Sequence, residues 1–311
     1  MRVAVMGTGG VGGYFGGRLA GAGHDVIFVA RGAHLAAMRE HGLRVDSIAG
    51  DFALPAVRAT DDTGEIGPVE LVLVCVKEWQ VAEVAAGIPP LLGPGAAVLP
   101  LQNGVAAVDE LARRLGREHV VGGVARIISF LAGPGHVSHV SYSPHILTGE
   151  LDRSRSDRID RIVDAFRVPG VTCEAAADIR AEQWSKFVFV AGWGAVAALS
   201  AVPCGPLRGV PCTRQLLVDA MSEIVQVARA HGIELPADVV DRSMGVLDSL
   251  APHATVSLQR DLAAGLPSEI EGWSGTVARL GAEAGVATPI HHIARVAMHP
   301  RELRARGELQ F

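Results

Sequence analysis

The chain lacks the residue patterns that several function classes require. Its four cysteines, Cys75, Cys173, Cys204 and Cys212, include no pair at the spacing of a zinc knuckle or a redox dithiol, and a reduced setting is the simplest fit. No HxxxH or HExxH run occurs, and the adjacent His291 and His292 point in different directions on a helix, so no metal is expected. No GxSxG elbow is present to suggest a serine hydrolase. Charge of one sign is not in excess: 28 Lys and Arg stand against 33 Asp and Glu, and the formal net charge of -5 argues against a nucleic-acid partner. No basic segment precedes the first short apolar run, so no secretory leader is expected and a cytoplasmic location is. The one long uncharged stretch, from Phe187 to Leu207, is weakened at Gly192 and Gly194 and ended by Pro203 and Gly205. It reads as a buried core helix, and no membrane association is expected. Internal repeats and low-complexity segments are missing too.

What remains is a chain of 311 residues, 49% hydrophobic and 20% charged, long enough for two ordinary globular domains. Its first half alternates short β-branched runs (RVAVM, DVIFVA, LVLVCVK) with helical stretches, which predicts βαβ units and a parallel sheet with helices on both faces. Three further strand-like pieces, VVGGVARIISFL, HVSHVSYS and HILTGEL, are expected to finish that sheet in antiparallel or mixed fashion. After about Val171 the pattern changes to long helices separated by Pro203, Gly205, Gly232 and Pro236. The expected organisation is an α/β domain over residues 1–172 and an all-helical domain over residues 173–311.

Gly7, Gly9 and Gly12 form GxGxxG directly after the first predicted strand and at the start of the first predicted helix. In that context the first glycine allows a tight turn, the second admits a pyrophosphate against bare backbone, and the third lets helix and strand approach closely. The loop, with Thr8, Gly10 and Val11, would offer backbone N–H groups and the positive end of a helix dipole to phosphates. This predicts a Rossmann-like dinucleotide-binding domain. An NAD enzyme usually places an acid at the end of the second strand to bind the ribose hydroxyls. Here Arg31 stands at that end, while Asp25 begins the strand, roughly 20 Å away at about 3.3 Å per residue. A guanidinium there suits a 2′-phosphate, and NADPH/NADP is the expected cofactor.

Lys77 follows LVLVCV, and Asn103 with Gly104 follows AVLPLQ, both where strands should end and line a ligand crevice. A lysine there could bind phosphate or a carboxylate, and the asparagine could orient nicotinamide or substrate; for Asn-Gly a plain turn competes. Lys186 stands immediately before the uncharged helix, where its charge requires a partner or a lowered pKa. A lowered pKa is what a catalytic acid working near neutrality needs. An exposed i,i+4 pair with Glu182 is the plainer reading. Further on, Ser268 and Glu271 fit a capping box, which leaves Glu269 either as a first-turn acid or as a substrate ligand, with Ser257 facing the same space.

In order, GTGGVGGYFGGRLAGAGHDVIFVAR, VKEWQ, LQNG, IRAEQWSKFVF, SLQRDLAAGLPSEIEGWSG and AGVATPIHHI resemble the 2-dehydropantoate 2-reductase (ketopantoate reductase) family along nearly the whole chain. The resemblance implies an NADPH-binding domain joined to a helical domain, with a ketone reduced in the cleft between them. It implies Lys186 as the catalytic lysine and Glu269 and Ser257 as substrate ligands. Asn103 matches the family's motif asparagine, Lys77 its cofactor-side lysine and Arg31 its 2′-phosphate arginine. The implied activity is reduction of 2-dehydropantoate, or a similar small 2-oxo acid, to the 2-hydroxy acid, a step of pantothenate biosynthesis. Where the family carries asparagines this chain has Val190, Gly194 and Ala254, and polar groups lost from a small pocket change selectivity by orders of magnitude. A reductase of a different 2-oxo acid is therefore a second expectation, and a non-catalytic NADPH sensor a third. The pattern leaves room for a homodimer.

Overall fold

The computed structural model describes residues 1–311. The opening alternation forms as the apolar pattern predicts: β1 (Arg2–Met6), α1 (Gly10–Gly21), β2 (Asp25–Val29) and α2 (Gly32–His41). They are followed by β3 (Leu43–Ser47), β4 (Phe52–Leu54), β5 (Arg58–Thr60), β6 (Val69–Val74), α3 (Val81–Ala86), β7 (Leu92–Pro100) and α4 (Ala106–Leu115). Two long strands come next, β8 (Gly122–Gly133) and β9 (His136–Gly149), then α5 (Asp157–Ala165) and β10 (Thr172–Ala175). The first sheet is wholly parallel, in the order β5-β2-β1-β6-β7. Central β1 alternates faces with period two: Val3 and Val5 join the core around Phe15 and Leu19 of α1, whereas Ala4 and Met6 join Val81, Val108 and Leu111 of α3 and α4.

The structure corrects the expected place of the later strands. β8 and β9 do not finish the first sheet, which receives from this region only a single parallel bridge, Val98 to Val120. They form an antiparallel hairpin in a second five-stranded sheet with β3, β4 and β10. The physical reason lies in α1, which is pressed between the two sheets. A Cβ on Gly16 would stand 2.7 Å from Phe28 of β2, and one on Gly13 would stand 2.7 Å from Val137 of β9. A Cβ on Gly10 would collide with the backbone of Ser129 in β8. The glycines on this helix give it two flat faces, and the second sheet closes on the outer one.

The chain divides into two compact units after Glu182, and not after residue 172, because β10 pairs in parallel with β9 and holds its segment in the first unit. The division falls inside α6 (Ile179–Ser200). The second unit continues with α7 (Cys204–Gly209), α8 (Pro211–Ala230), α9 (Val239–Ser249), α10 (Ser257–Ala263), a π-helical turn (Glu271–Gly275), α11 (Thr276–Ala284) and α12 (Pro289–Ala305). Residues 191–198 of α6 are all buried, and the helix stops at Ser200, ahead of Pro203. No helix is long and apolar enough to cross a membrane. α8 crosses closely: a Cβ on Gly192 would lie 2.5 Å from Met221.

The capping box expected at Ser268 and Glu271 does not form. Ser268 donates from its backbone N–H (2.9 Å) and its hydroxyl (2.7 Å) to the buried carboxylate of Glu302 on α12. Glu271 instead accepts from Arg295 at 2.7 Å. A tertiary partner with full charge outcompetes the local cap, and the chain enters a π turn in place of a regular first turn.

Candidate active site

The glycine loop links β1 to α1. Gly7 holds φ at +92°, a conformation open to glycine, and its N–H donates to Val29 at 3.2 Å. The buried Thr8 hydroxyl donates to the same carbonyl at 3.1 Å, tying the loop to the end of β2. Gly9 is the N-cap of α1 and supplies no side-chain cap, so the first-turn N–H groups of Gly10, Val11 and Gly12 have no partner from within the helix. A Cβ on Gly12 would run into the Gly7 carbonyl, whereas one on Gly9 would meet nothing within 4 Å. The cradle is therefore closed beneath Gly12 and open above Gly9. Donor N–H groups, a helix dipole and open space fit a pyrophosphate.

Arg31 follows β2 as the N-cap of α2; its side chain is 70% exposed and its guanidinium lies 2.8 Å from Glu83. Asp25 sits at the opposite end of β2, engaged by Arg58 (2.6 Å) and Arg2 (3.3 Å), and is unavailable to a ribose bound at the loop. Lys77 and Asn103, both half-buried, follow the ends of β6 and β7. Their loops touch, since a Cβ on Gly104 would collide with the Glu78 carboxylate. Gly104 is not at positive φ, so Asn103-Gly104 is not a turn that needs a left-handed glycine. Sequence reasoning missed Gln102: its buried Nε2 donates to Val74 (2.9 Å) and Val76 (3.1 Å), clamping the two strand ends that present Lys77 and Asn103. Its place directly before Asn103 was the available signal.

In the second unit, Lys186 and Val190 are half-buried on successive turns of α6, and Gly194 is buried one turn on. Glu182, offered by sequence as the partner of Lys186, meets Arg126 at 3.5 Å. Glu269 is 4% exposed, and its carbonyl accepts the Trp273 N–H at 2.9 Å, so the two lie one turn apart. The Trp273 ring packs on Gly194, where a Cβ would come within 2.9 Å of it. The structure thus joins the stripe Lys186–Val190–Gly194 to the turn Glu269–Trp273. Ser257 opens α10, half-buried, and the nearby Ala254 carbonyl accepts from Cys204 N–H at 3.0 Å.

The π turn is held from behind by a group that sequence reasoning passed over. His291 is fully buried, with Nε2 3.1 Å from the Ala220 carbonyl and Nδ1 3.2 Å from the Ser274 hydroxyl. A carbonyl only accepts, so Nε2 carries the proton and Nδ1 takes one from Ser274. Burial pushes His291 down to about 4, keeping it neutral. His292 beside it is exposed.

A family model described as ketopantoate reductase PanE/ApbA matches residues 3–153, and its C-terminal counterpart matches residues 178–302. A 2-dehydropantoate 2-reductase of Mesorhizobium japonicum is 30% identical over 310 residues, covering 93% of this chain and 94% of that one. The crystal structure of a PanE/ApbA family ketopantoate reductase from Ralstonia eutropha JMP134 matches with a TM-score of 0.90 at 32% identity, over 98% of this chain and all of that one. A ternary structure of D-mandelate dehydrogenase with NADH and anilino(oxo)acetate matches with a TM-score of 0.89 at 21% identity, over 98% and 99% of the two chains, a likeness of fold alone. The chain belongs to the ketopantoate reductase family, oxidoreductases that act at a CH–OH/C=O carbon with a nicotinamide dinucleotide.

Proposed function

We propose that this protein reduces 2-dehydropantoate, or a similar small 2-oxo acid, to the 2-hydroxy acid with NADPH. The observation that carries the reading is an open cradle at Gly9 in a chain whose half-buried Lys186 lies two turns before Gly194 on α6, where Trp273, one turn from the buried Glu269, packs. We assign the dinucleotide to the first unit, on Gly7, Thr8, Gly9, Gly10, Val11 and Gly12, with Arg31 on the 2′-phosphate and Lys77 and Asn103 at the strand ends. When bound, a reduced nicotinamide dinucleotide supplies hydride to the ketone carbon. Lys186 stabilises the negative charge that develops on the carbonyl oxygen and gives it a proton, and its amine is then reprotonated from solvent. Glu269 and Ser257 bind the polar end of the substrate, one as acceptor and one as donor, and Asn103 holds the reactants in register.

Lys186→Ala should lower kcat by about 10²–10⁴-fold while leaving NADPH affinity within about twofold. Full turnover by that variant, measured as NADPH oxidation, would remove Lys186 from the mechanism.

A second reading, the same chemistry on a different 2-oxo acid, is favoured by the wall beside Lys186. Val190 is aliphatic, and Trp273 takes the room that a side chain at Gly194 would need. The structure of D-mandelate dehydrogenase with NADH and anilino(oxo)acetate, alike in fold, is consistent with that reading. Rates across a panel of 2-oxo acids that begins with ketopantoate separate the two readings. A pure sensor would need neither Lys186 nor Glu269.

A further inference from the structure

No acid follows β2 directly in the sequence, at the place where an NAD enzyme binds the ribose hydroxyls. The fold supplies one from a different element. Glu83 stands in the first turn of α3, 52 residues from Arg31 in the chain, and its Oε1 lies 2.8 Å from Nη1 of Arg31. In the first sheet β1 lies between β2 and β6. Arg31 follows β2 and α3 follows β6, so the partners come from strands two spacings apart, about 10 Å. The glycine loop leaves the end of β1 between them, and its Gly7 N–H and Thr8 hydroxyl donate to Val29, two residues before Arg31. The ion pair therefore spans the crevice at the end where a ribose 2′ position meets the residues after β2.

Stability does not account for the pair. Its side chains are 70% and 58% exposed, and an ion pair so exposed adds little. The dipole of α3, a helix of six residues, favours a first-turn acid but not its reach across the crevice. Neither side chain forms another ion pair, so each can exchange its partner for a ligand. A 2′-phosphate, with more charge and three acceptor oxygens, competes with a single carboxylate for the guanidinium. A ribose hydroxyl without that phosphate is a donor, and its natural partner is the carboxylate.

We propose that Glu83 is the ribose-end acid of the dinucleotide site, supplied by α3 in place of β2, and that it sets the choice between dinucleotides. With NADH its carboxylate accepts from the ribose hydroxyls. With NADPH it gives up Arg31 to the 2′-phosphate, so part of the guanidinium's attraction is offset by the lost ion pair. Glu83 thus narrows the preference that Arg31 alone would give. This rests on the dinucleotide site proposed above.

The test is affinity, read from nicotinamide fluorescence as NADPH or NADH is titrated onto the full chain without a 2-oxo acid. Glu83→Gln keeps the length of the side chain and removes its charge. It should tighten NADPH about three- to tenfold and weaken NADH by a similar factor, moving the ratio of the two Kd values at least about tenfold. In an Arg31→Gln background the NADPH gain should fall below about twofold, because no guanidinium is left to release and what remains is a screened surface charge. An unchanged ratio of the two Kd values, or an NADPH gain that persists undiminished without Arg31, would overturn the assignment of Glu83 and leave the dinucleotide site standing. A wild-type chain that binds neither dinucleotide would remove both.

Discussion

Gly9 and Gly12 stand three residues apart and are glycine for different reasons. At Gly12 the space is already taken by the Gly7 carbonyl, so a methyl must move the helix. At Gly9 the space is empty, so a methyl harms nothing in the protein and intrudes only on what binds there. Gly9→Ala should therefore keep the melting temperature within about 2 °C and weaken NADPH binding by tenfold or more, whereas Gly12→Ala should lower both. Thermal melts and fluorescence titrations of the two variants check this; equal loss of stability would mean that Gly9 is structural. Arg31 supports a second prediction at this scale. Its ion pair with Glu83 joins two exposed side chains and contributes little to stability. Arg31→Gln should reduce kcat/KM for NADPH about 10- to 100-fold and leave that for NADH nearly unchanged. A loss shared equally by both cofactors would detach Arg31 from the 2′-phosphate. The places of the glycine loop and of Arg31 were legible because they follow from spacing along one βαβ unit. Gln102, His291 and the Trp273 contact with Gly194 were not, because each depends on a partner brought close only by the fold.

The elements sort in the same way. β1, α1 and β2 could be read from apolar periodicity, since each buries a face whose period matches its own geometry. β8 and β9 were legible as strands, but their sheet was not. Pairing partners are set by which surface is flat enough to pack against, and that surface is the glycine side of α1. The glycines are hard to read in a sequence because two demands overlap in one run: Gly7, Gly9 and Gly12 shape the loop, while Gly13 and Gly16 make room for neighbouring strands. The start of the last helical segment was misread because a local rule favours Ser268 with Glu271. Glu302 and Arg295, about thirty residues away in the chain, bind those side chains more strongly. The resulting π turn, which follows Glu269, presents Trp273 to Gly194 of α6, and such turns often occur at functional sites.

At the scale of the whole molecule, one buried base ties acid stability to this architecture. His291 is held at about 4 by burial, against 6.5 for a free imidazole. Above about pH 6.5 it is neutral in both folded and unfolded chains and adds no pH dependence. As pH falls from 6.5 towards 4, the unfolded chain takes up a proton that the folded chain refuses, and stability is lost by about 2 kcal/mol at pH 5. Glu223, whose carboxylate accepts the Ile290 and His291 N–H groups at the start of α12, is pushed up by burial. It acts in the opposite sense, losing stability as pH rises through its folded pKa. The His291 contribution is isolated by comparing wild type with His291→Gln, which can still donate to Ala220 but cannot titrate. Three of the four tryptophans, Trp184, Trp193 and Trp273, lie in the helical unit, so urea unfolding followed by their fluorescence reports on the part of the chain that holds His291. Between pH 7 and pH 5 wild type should lose about 2 kcal/mol more than the variant. Equal losses would mean that His291 is protonated in the folded protein, and that the Ser274 hydroxyl does not anchor the π turn by donating to it.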